Sequence, residues 1–335
     1  MSERRYLVTG ASGFVGGHLA RALFRKGHPV ATILRDGDVM EGIEVFRGSV
    51  EDRDVVRRAL SKFKPDGVFH LAAQAKVEPA NLDPMGTWES NIRGTYTLLN
   101  EVMSGQQCPV VVASSDHAYG MDHDNLHPID ENEPVGAGGI YDTSKACTDL
   151  IAQTYGRLGL SVSIVRCGNI YGPCDRDMTR IVPSLISDIM NGRAPTLRSD
   201  GTPVRDYLFV SDAINGYAAV MGDAHLRSDR RASIFNLSAG NPLSAHDVAQ
   251  KLIKTWLTYT GYVYNSIQPI AILGTRTGEI NHLSLDSSLA RKTLAWYPDT
   301  NIEKGLTETI CWWRGTPTSL PMNPYATLWQ PLVGL

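Results

Sequence analysis

Two short segments of the sequence carry side chains that could move a proton and a hydride together. Tyr141 and Lys145 are four residues apart, so on a helix they lie on the same face. An ammonium beside a phenol lowers the pKa of the phenol, and an ionised phenol can take the proton of an alcohol while hydride leaves the same carbon. Ser115 lies upstream and can hydrogen-bond the same oxygen. These residues predict the oxidation of an alcohol, which requires a hydride acceptor.

A glycine-rich turn near the N-terminus predicts what accepts the hydride. Tyr6–Thr9 is predicted to be a short buried strand, and apolar periodicity predicts a helix from His18 to about Lys26. Backbone N–H groups between a strand and a helix N-terminus bind pyrophosphate, assisted by the helix dipole. With glycines spaced Gly-x-x-Gly-x-x-Gly between them, we expect a dinucleotide to be bound by Gly10, Ser12, Gly13, Phe14, Val15 and Gly16.

The end of the second predicted strand bears on which nicotinamide cofactor is used. NAD sites usually place an acid at this point to accept the ribose hydroxyls, whereas the residue here is Leu34. Arg35 follows and could hold the 2′-phosphate of NADP, while the adjacent Asp36 could accept the ribose hydroxyls of NAD. The sequence favours NADP slightly, and both cofactors stay open.

Strands and helices alternate along the chain. Parallel strands separated by helical segments are predicted at Val30–Leu34, Val45–Arg47, Gly67–Leu71, Val110–Ser114 and Val162–Arg166. This pattern predicts an α/β fold, a Rossmann-like doubly wound parallel sheet with a nucleotide across its carboxyl edge. A smaller C-terminal α/β substrate lobe is expected to complete it.

The predicted boundaries divide the chain into two lobes and a tail. Residues 1–168, with about 206–235, form the dinucleotide-binding domain, while residues 169–205 and 236–315 form the substrate lobe. The tail, 316–335, has no charged residue and is rich in proline. We expect it to pack on the body of the protein or on a neighbouring subunit.

Composition and charge argue against several classes of protein. The formal net charge is −3 with no long basic run, which argues against a nucleic-acid-binding surface. No stretch is long and apolar enough to span a membrane, and the first strand follows the N-terminus too closely for a signal peptide. The 5 cysteines are odd in number and lack metal-binding spacing, which favours reduced thiols in a cytoplasmic protein without a metal site.

Six motifs in one order carry a resemblance to a known family. The glycine-rich turn is the first motif, and the region from Ser115 to Lys145 is the second. The other four are His70-Leu71-Ala72-Ala73, Asn91-Ile92-Arg93-Gly94-Thr95, Arg166-Cys167-Gly168-Asn169-Ile170-Tyr171-Gly172-Pro173 and Arg205-Asp206-Tyr207-Leu208-Phe209-Val210-Ser211-Asp212. From Tyr6 to about Trp313 the chain resembles the extended short-chain dehydrogenase/reductases, and within them the nucleotide-sugar epimerases and dehydratases. It is most similar to the CDP-glucose 4,6-dehydratase branch, although no motif encodes the nucleotide base.

The resemblance implies further roles. It places the cofactor against the backbone of Leu71, Ala72 and Ala73. It implies that the substrate is a nucleotide-diphosphate hexose bound by Asn169, Arg180 and Arg205. Asn91 would support the active-site helix without reacting. A tightly bound, recycled cofactor follows from the same resemblance, as does a homodimer formed through helices around Thr87–Met103 and Lys145–Leu158.

Asp116 and His117, directly after Ser115, bear on the type of reaction. The resemblance implies small apolar residues here in 4-epimerases, and Asp-Glu, Ser-Glu or Asp-Lys pairs in 4,6-dehydratases. Oxidation at C4 acidifies the C5 proton, which His117 could remove, while Asp116 could protonate the departing C6 hydroxyl. We therefore expect a nucleotide-sugar 4,6-dehydratase, a lyase. Epimerisation at C4 or C5, decarboxylation, and 5,6-dehydration without return of hydride to C6 stay open.

Overall fold

The dominant feature of the fold is a seven-stranded parallel sheet. The computed structural model describes residues 3–120, 127–227, 232–261, 267–274 and 280–315. In spatial order, the strands are β11 (Ser233–Leu237), β6 (Val162–Cys167), β5 (Val110–Ala113), β4 (Gly67–His70), β1 (Tyr6–Thr9), β2 (Val30–Leu34) and β3 (Glu44–Arg47). The direction of strand succession reverses between β1 and β4, where a doubly wound sheet opens a crevice for a ligand.

Each face of the sheet is covered by its own group of helices. One face carries α1 (Phe14–Arg25) and α8 (Val210–Leu226). The other face carries α2 (Arg53–Phe63), α5 (Gly94–Ser104) and α6 (Ile140–Arg157). The central strands are buried along their whole length, as expected for parallel strands that are covered on both faces.

The segment before α5 is a succession of short helical turns. It contains α3 (Val77–Leu82), α4 (Pro84–Trp88) and a π-helical turn over Glu89–Arg93. Asn91 lies in the π turn and donates from Nδ2 to Ser144 Oγ of α6 at 2.8 Å. The predicted supporting contact of Asn91 with the active-site helix is therefore confirmed.

A smaller α/β region follows the carboxyl end of β6. Its strands pair in three small sheets: β7 (Asn169–Tyr171) with β10 (Tyr207–Phe209), β8 (Thr196–Leu197) with β13 (Ala271–Ile272), and β9 (Val204–Arg205) with β12 (Leu243–Ser244) and β14 (His282–Leu283). Three helices, which share a separate buried hydrophobic cluster, accompany them: α7 (Ile181–Met190), α9 (Ala245–Thr260) and α11 (Ile302–Arg314). In contrast, α10 (Ser288–Leu294) packs with β11 and α8. The division into lobes at the predicted boundaries stays a prediction.

The predicted Rossmann-like sheet is confirmed, while some element boundaries differ. Helix α1 begins at Phe14, about one turn before His18, because Gly13 already forms its extended N-cap with φ −80° and ψ 174°. The glycines of this first turn have no side chains to show an apolar period. The predicted tail, 316–335, lies outside the described residues. Within the described ranges, no helix is long and apolar enough to cross a membrane.

A buried ion pair fixes helix α6 against the sheet. Arg166 on β6 donates from Nε and Nη2 to the two carboxylate oxygens of Asp149 in α6, at 2.8 and 2.9 Å. Ser114, directly after β5, also donates to Asp149 at 3.0 Å. The Arg166 side chain is 1% exposed, and its planar guanidinium matches the carboxylate in this two-bond arrangement. Two strands and the helix that carries the Tyr-x-x-x-Lys motif are thereby held in one geometry.

Candidate active site

A cavity of about 1130 Å³ extends from the carboxyl edge of the main sheet to the smaller region. Every residue that the sequence assigned to the cofactor, the reaction or the substrate lines this cavity. These residues are Gly10, Ser12, Gly13, Phe14, Val15, Gly16, Arg35, Asp36, Leu71, Ala72, Ala73, Ser115, Asp116, His117, Tyr141, Lys145, Asn169, Arg180 and Arg205. The fold brings them together, whereas the role of each residue stays a prediction.

The glycine turn after β1 forms a cradle that side chains would fill. Gly10 has a φ of +75°, and a Cβ there would lie 2.8 Å from the backbone N of Ala72. A Cβ on Gly16 would lie 2.2 Å from the carbonyl oxygen of Gly10. Glycine therefore lets the chain turn tightly into α1 and leaves the N–H groups at the helix N-terminus accessible to an anion. This cradle fits the pyrophosphate of a dinucleotide.

The segment after β4 is fixed against this turn. Thr9 Oγ1 accepts hydrogen bonds from the backbone N–H groups of Leu71 and Ala72, both at 3.1 Å. The same oxygen lies 2.9 Å from His70 Nδ1. Burial lowers the pKa of His70 to about 3, so this imidazole is neutral near pH 7. The contacts are those of a structural support for the backbone that the resemblance places against the cofactor.

The rim of the cavity at β2 carries groups suited to either cofactor. Arg35 and Asp36 follow the strand and are exposed. Arg35 Nη1 lies 3.9 Å from Glu51 Oε1, and Ser49 donates to the same carboxylate. The sequence reasoning did not single out Ser49, although its position two residues after β3, at the same edge of the sheet, was a usable signal.

Helix α6 presents Tyr141 and Lys145 to the cavity. The helix begins where Asp142 Oδ2 accepts the backbone N–H of Gly139 at 2.9 Å. Lys145 Nζ donates to the carbonyl of Ala113, at the end of β5, at 2.9 Å. Burial lowers the pKa of Lys145 to about 8, so its ammonium is mostly retained near pH 7.

The electrostatics of Tyr141 differ from the sequence expectation. Burial raises the pKa of the phenol to about 12, and this effect outweighs the hydrogen bond with Ser115 and the charge of Arg180, which lower it. The predicted net lowering of the Tyr141 pKa is therefore wrong for this arrangement. The physical reason is that the phenol is buried, while the Lys145 ammonium is held at the Ala113 carbonyl.

Ser115, Asp116 and His117 form the start of a short 3₁₀ turn after β5. The Ser115 hydroxyl donates to Asp116 Oδ1 at 2.8 Å, and the backbone N–H of His117 donates to the same oxygen at 2.9 Å. The His117 ring lies edge-on to the Tyr141 ring, with 5.5 Å between centroids. An acid–base pair and the residues suited to oxidation therefore occupy one wall of the cavity.

Asp142, which the sequence reasoning missed, pairs with His117. Its Oδ1 lies 2.7 Å from His117 Nδ1, and the two side chains are 7% and 21% exposed. Burial alone would lower the pKa of His117, but Asp142 and Asp116 together raise it above its ordinary value. The available signal was a carboxylate inside the Tyr-x-x-x-Lys motif itself, directly after Tyr141.

Arg205 and Asn169 line the cavity from the smaller region. Arg205 ends β9, and its Nη1 donates to the carbonyl of Val204 at 2.8 Å. Its charge reaches His117, where it opposes protonation. Asn169 begins β7, where the carbonyl of Asp206 accepts its backbone N–H at 2.8 Å. Both residues lie where the reacting residues and a substrate could share the cavity.

Arg180 connects the smaller region to the glycine turn. Its guanidinium stands over the ring of Phe14, with 5.6 Å from Cζ to the centroid, and its Nη1 lies 3.2 Å from Asp175 Oδ2. Close by, Lys76 Nζ lies 3.1 Å from Asp177 Oδ2 and joins the two regions across the cavity. The sequence reasoning missed these two acids and Lys76, since the acids follow β7 in a loop without a recognised motif.

The cradle, the Tyr-x-x-x-Lys helix and the sheet agree with a comparison of the whole chain with known proteins. The model of the NAD dependent epimerase/dehydratase family matches residues 6–237. The chain belongs to this family. A dTDP-glucose 4,6-dehydratase of Streptomyces antibioticus is 30% identical over 325 residues, covering 92% of this chain and 92% of that protein.

Solved structures similar to this epimerase/dehydratase family member include enzymes of two reactions. A dTDP-glucose 4,6-dehydratase of Streptomyces venezuelae, solved with NAD bound, has a TM-score of 0.81 and 26% identity, covering 92% of this chain and 97% of that one. A UDP-glucose 4-epimerase of Thermotoga maritima, solved with UDP-glucose, has a TM-score of 0.82 and 27% identity, covering 92% and 98%. Overall similarity therefore does not distinguish the two reactions, and the side chains in the cavity must.

Proposed function

We propose that the protein is a nucleotide-sugar 4,6-dehydratase, which converts a nucleotide-diphosphate hexose into its 4-keto-6-deoxy form. The observation that carries the proposal is that His117 lies edge-on to the ring of Tyr141, with Asp116 directly before it, in the cavity that Ser115 and Lys145 also line. Oxidation of an alcohol does not require the first two groups. Elimination of water requires both a base and an acid.

Tyr141 is the proposed base for the C4 hydroxyl, with Ser115 hydrogen-bonded to the same oxygen. A bound nicotinamide cofactor supplies the hydride acceptor for C4 and the hydride that is returned to C6. Lys145 keeps positive charge beneath the site, because its lowered pKa of about 8 still lies above neutral pH. The raised pKa of Tyr141 makes its phenolate a strong base once it has formed.

His117 and Asp116 are the proposed pair for elimination. The C4 ketone acidifies C5, and His117 removes the C5 proton. Asp116 gives a proton to the C6 hydroxyl, which leaves as water. The oxidation at C4 and the reduction at C6 cancel, so the net change is the loss of one water.

The charge around His117 supports a neutral hexose over a sugar acid. Asp142 is buried and ionised, and its carboxylate lies 2.7 Å from the imidazole. A C6 carboxylate on the sugar would add a like charge in a region shielded from water, which is unfavourable. This supports dehydration over decarboxylation or epimerisation of a uronate.

Mass spectrometry of the protein incubated with CDP-, GDP-, UDP- and dTDP-hexoses tests the proposal. Loss of one water from one substrate, with solvent deuterium at C5, would support 4,6-dehydration and would identify the nucleotide of the substrate. A product of unchanged mass but altered retention would instead make the protein an epimerase, and Asp116 and His117 would then be structural. A 5,6-dehydratase would also lose water, but it would leave an alkene that carries no returned hydride at C6.

We also propose that Asn169, Arg180 and Arg205 bind the diphosphate and nucleotide. Arginine side chains suit phosphate oxygens, and all three residues line the cavity from the smaller region.

Arg35 supports a small preference for NADP over NAD, and retention of the cofactor during purification would indicate tight binding.

A homodimer through α5 and α6 is proposed on the resemblance. Support comes from the apolar side chains of Tyr96, Leu150 and Leu158, which are exposed on these helices and at the end of α6. Sedimentation of the full chain tests it, and a monomer at micromolar concentration would argue against it.

A further inference from the structure

His117 is held by a carboxylate from another element. Asp142 Oδ1, in the first turn of α6, lies 2.7 Å from Nδ1 of the imidazole, which is typical of a charge-assisted hydrogen bond. The other oxygen of Asp142, Oδ2, accepts the backbone N–H of Gly139 at 2.9 Å. The carboxylate is therefore fixed at both oxygens, and one nitrogen of the imidazole is tied to the start of a long helix.

The charge state of Asp142 decides which nitrogen carries the imidazole proton. Burial alone would raise the pKa of Asp142, but the hydrogen bond from His117 holds it below its usual value, so the carboxylate is ionised near neutral pH. An ionised carboxylate only accepts hydrogen bonds. Nδ1 must therefore donate, and the lone pair of the neutral ring is on Nε2. Among the described residues, Nε2 has no hydrogen-bond partner, and His117 lines the cavity.

We infer that Asp142 is a positioning residue that keeps the proton on Nδ1 of His117 and thereby makes Nε2 the atom that removes the C5 proton. This inference rests on the proposed dehydration. The C5–H bond breaks, the proton bonds to Nε2, and the electron pair enters the enolate of the C4 ketone. The enolate then expels the C6 hydroxyl, which takes its proton from Asp116. Once the hydride taken from C4 has been returned to C6, the imidazolium, stabilised by Asp142, returns its proton to C5. The proton that Tyr141 took from the C4 hydroxyl replaces the one that Asp116 gave to the departing water, so no further reactant is needed.

The groups around the imidazole set the direction of the pH effect. Asp142 and Tyr141 face it from α6, Asp116 precedes it on its own turn, and Arg205 acts on it from β9. Burial and Arg205 lower the pKa of His117, while the two carboxylates raise it by more. Removal of the Asp142 charge leaves a single carboxylate against burial and Arg205, so the pKa falls. Because a base must be deprotonated, the rising limb of the elimination rate should then move to lower pH.

Asp142→Asn is the variant that tests this role. The amide oxygen can still accept the N–H of Gly139, so the start of the helix is kept. The amide N–H, however, donates to Nδ1 of His117 and moves the imidazole proton to Nε2. Asp247→Asn is the matched control, since Asp247 occupies the same third position in the capping box of α9, where Ser244 is the N-cap.

Nitrogen-15 NMR of histidine-labelled full-length protein reads the ring directly, with His117→Ala used for assignment. We expect the Nδ1-protonated tautomer in the wild type, and the Nε2-protonated tautomer with a lower pKa in Asp142→Asn. Elimination, measured as deuterium uptake at C5, should fall about 10²-fold with its pH limb displaced downward. Oxidation at C4, measured as reduction of the bound cofactor, should be retained, and Asp247→Asn should match the wild type throughout.

Two results would overturn the inference even if the wild type dehydrates a sugar nucleotide. One is an unchanged tautomer and pKa of His117 in Asp142→Asn. The other is an equal loss of oxidation and elimination, which would indicate a merely structural role for Asp142. The NMR measurement needs no substrate. Failure of the wild type to dehydrate any sugar nucleotide would therefore remove the proposed function and the C5 step, while the spectra would still decide whether Asp142 positions the ring.

Discussion

The glycine turn and the Asp116–His117 turn line the same cavity but work in different ways. The glycine turn uses backbone groups, and its shape depends on the absence of a Cβ at Gly10 and at Gly16. The second turn uses side chains, and His117 depends on Asp142, which lies 25 residues further along the chain. A change in the first turn should therefore affect every step that needs the cofactor. A change in the second should affect one chemical step and leave the others intact.

Tyr141→Phe should have the largest effect, because oxidation at C4 is the first chemical step and elimination at the Asp116–His117 turn depends on it. Without the phenol hydroxyl, no base takes the proton of the C4 hydroxyl, and turnover should fall about 10³-fold. Cofactor affinity, measured by fluorescence titration, should stay at the wild-type value since the glycine turn is unchanged. Turnover close to that of the wild type would contradict the proposed mechanism.

His117→Ala should separate the steps. Loss of the C5 base should slow deuterium uptake at C5 and loss of water about 10²-fold. Reduction of the bound cofactor upon addition of substrate should persist, because oxidation at C4 uses Tyr141. His127→Ala, at an exposed position that does not line the cavity, is the control. Wild-type elimination in His117→Ala would exclude the imidazole as the base.

Gly16→Ala should weaken cofactor binding about 10- to 100-fold, because the new Cβ would lie 2.2 Å from the Gly10 carbonyl and the turn would have to shift. All steps should then fall together at low cofactor concentration and recover at high concentration. Gly222→Ala is the matched control, because a Cβ on this glycine of α8 meets open space. If Gly16→Ala slowed only elimination, the contrast between the two turns would be lost.

The difference between the two turns also explains what the sequence could predict. Gly10 and Gly16 lie within one short motif between a strand and a helix, so their contacts are local and the cradle could be predicted. The sheet followed for the same reason, since its strands are continuous apolar runs. The Asp142–His117 bond was missed because it joins two motifs that only the packing of α6 beside the turn after β5 brings together. The raised pKa of Tyr141 was missed because it depends on burial, which the spacing of Tyr141 and Lys145 does not report.

Arg35→Ala should have the smallest effect. It would refine the comparison of the two turns at the rim of the cavity beside β2, where the cofactor is proposed to bind. There a side chain, not the backbone, would distinguish NADP from NAD by meeting the additional phosphate. Because Arg35 is exposed and lies 3.9 Å from the Glu51 carboxylate, which competes for its charge, its loss should weaken NADP binding only about tenfold. NAD binding should not change, and Arg58→Ala, an exposed arginine that does not line the cavity, is the control. Equal weakening of both dinucleotides, measured by calorimetry, would show that Arg35 supports the general shape of the site. In that case selection of the cofactor, like its binding, would depend on the backbone.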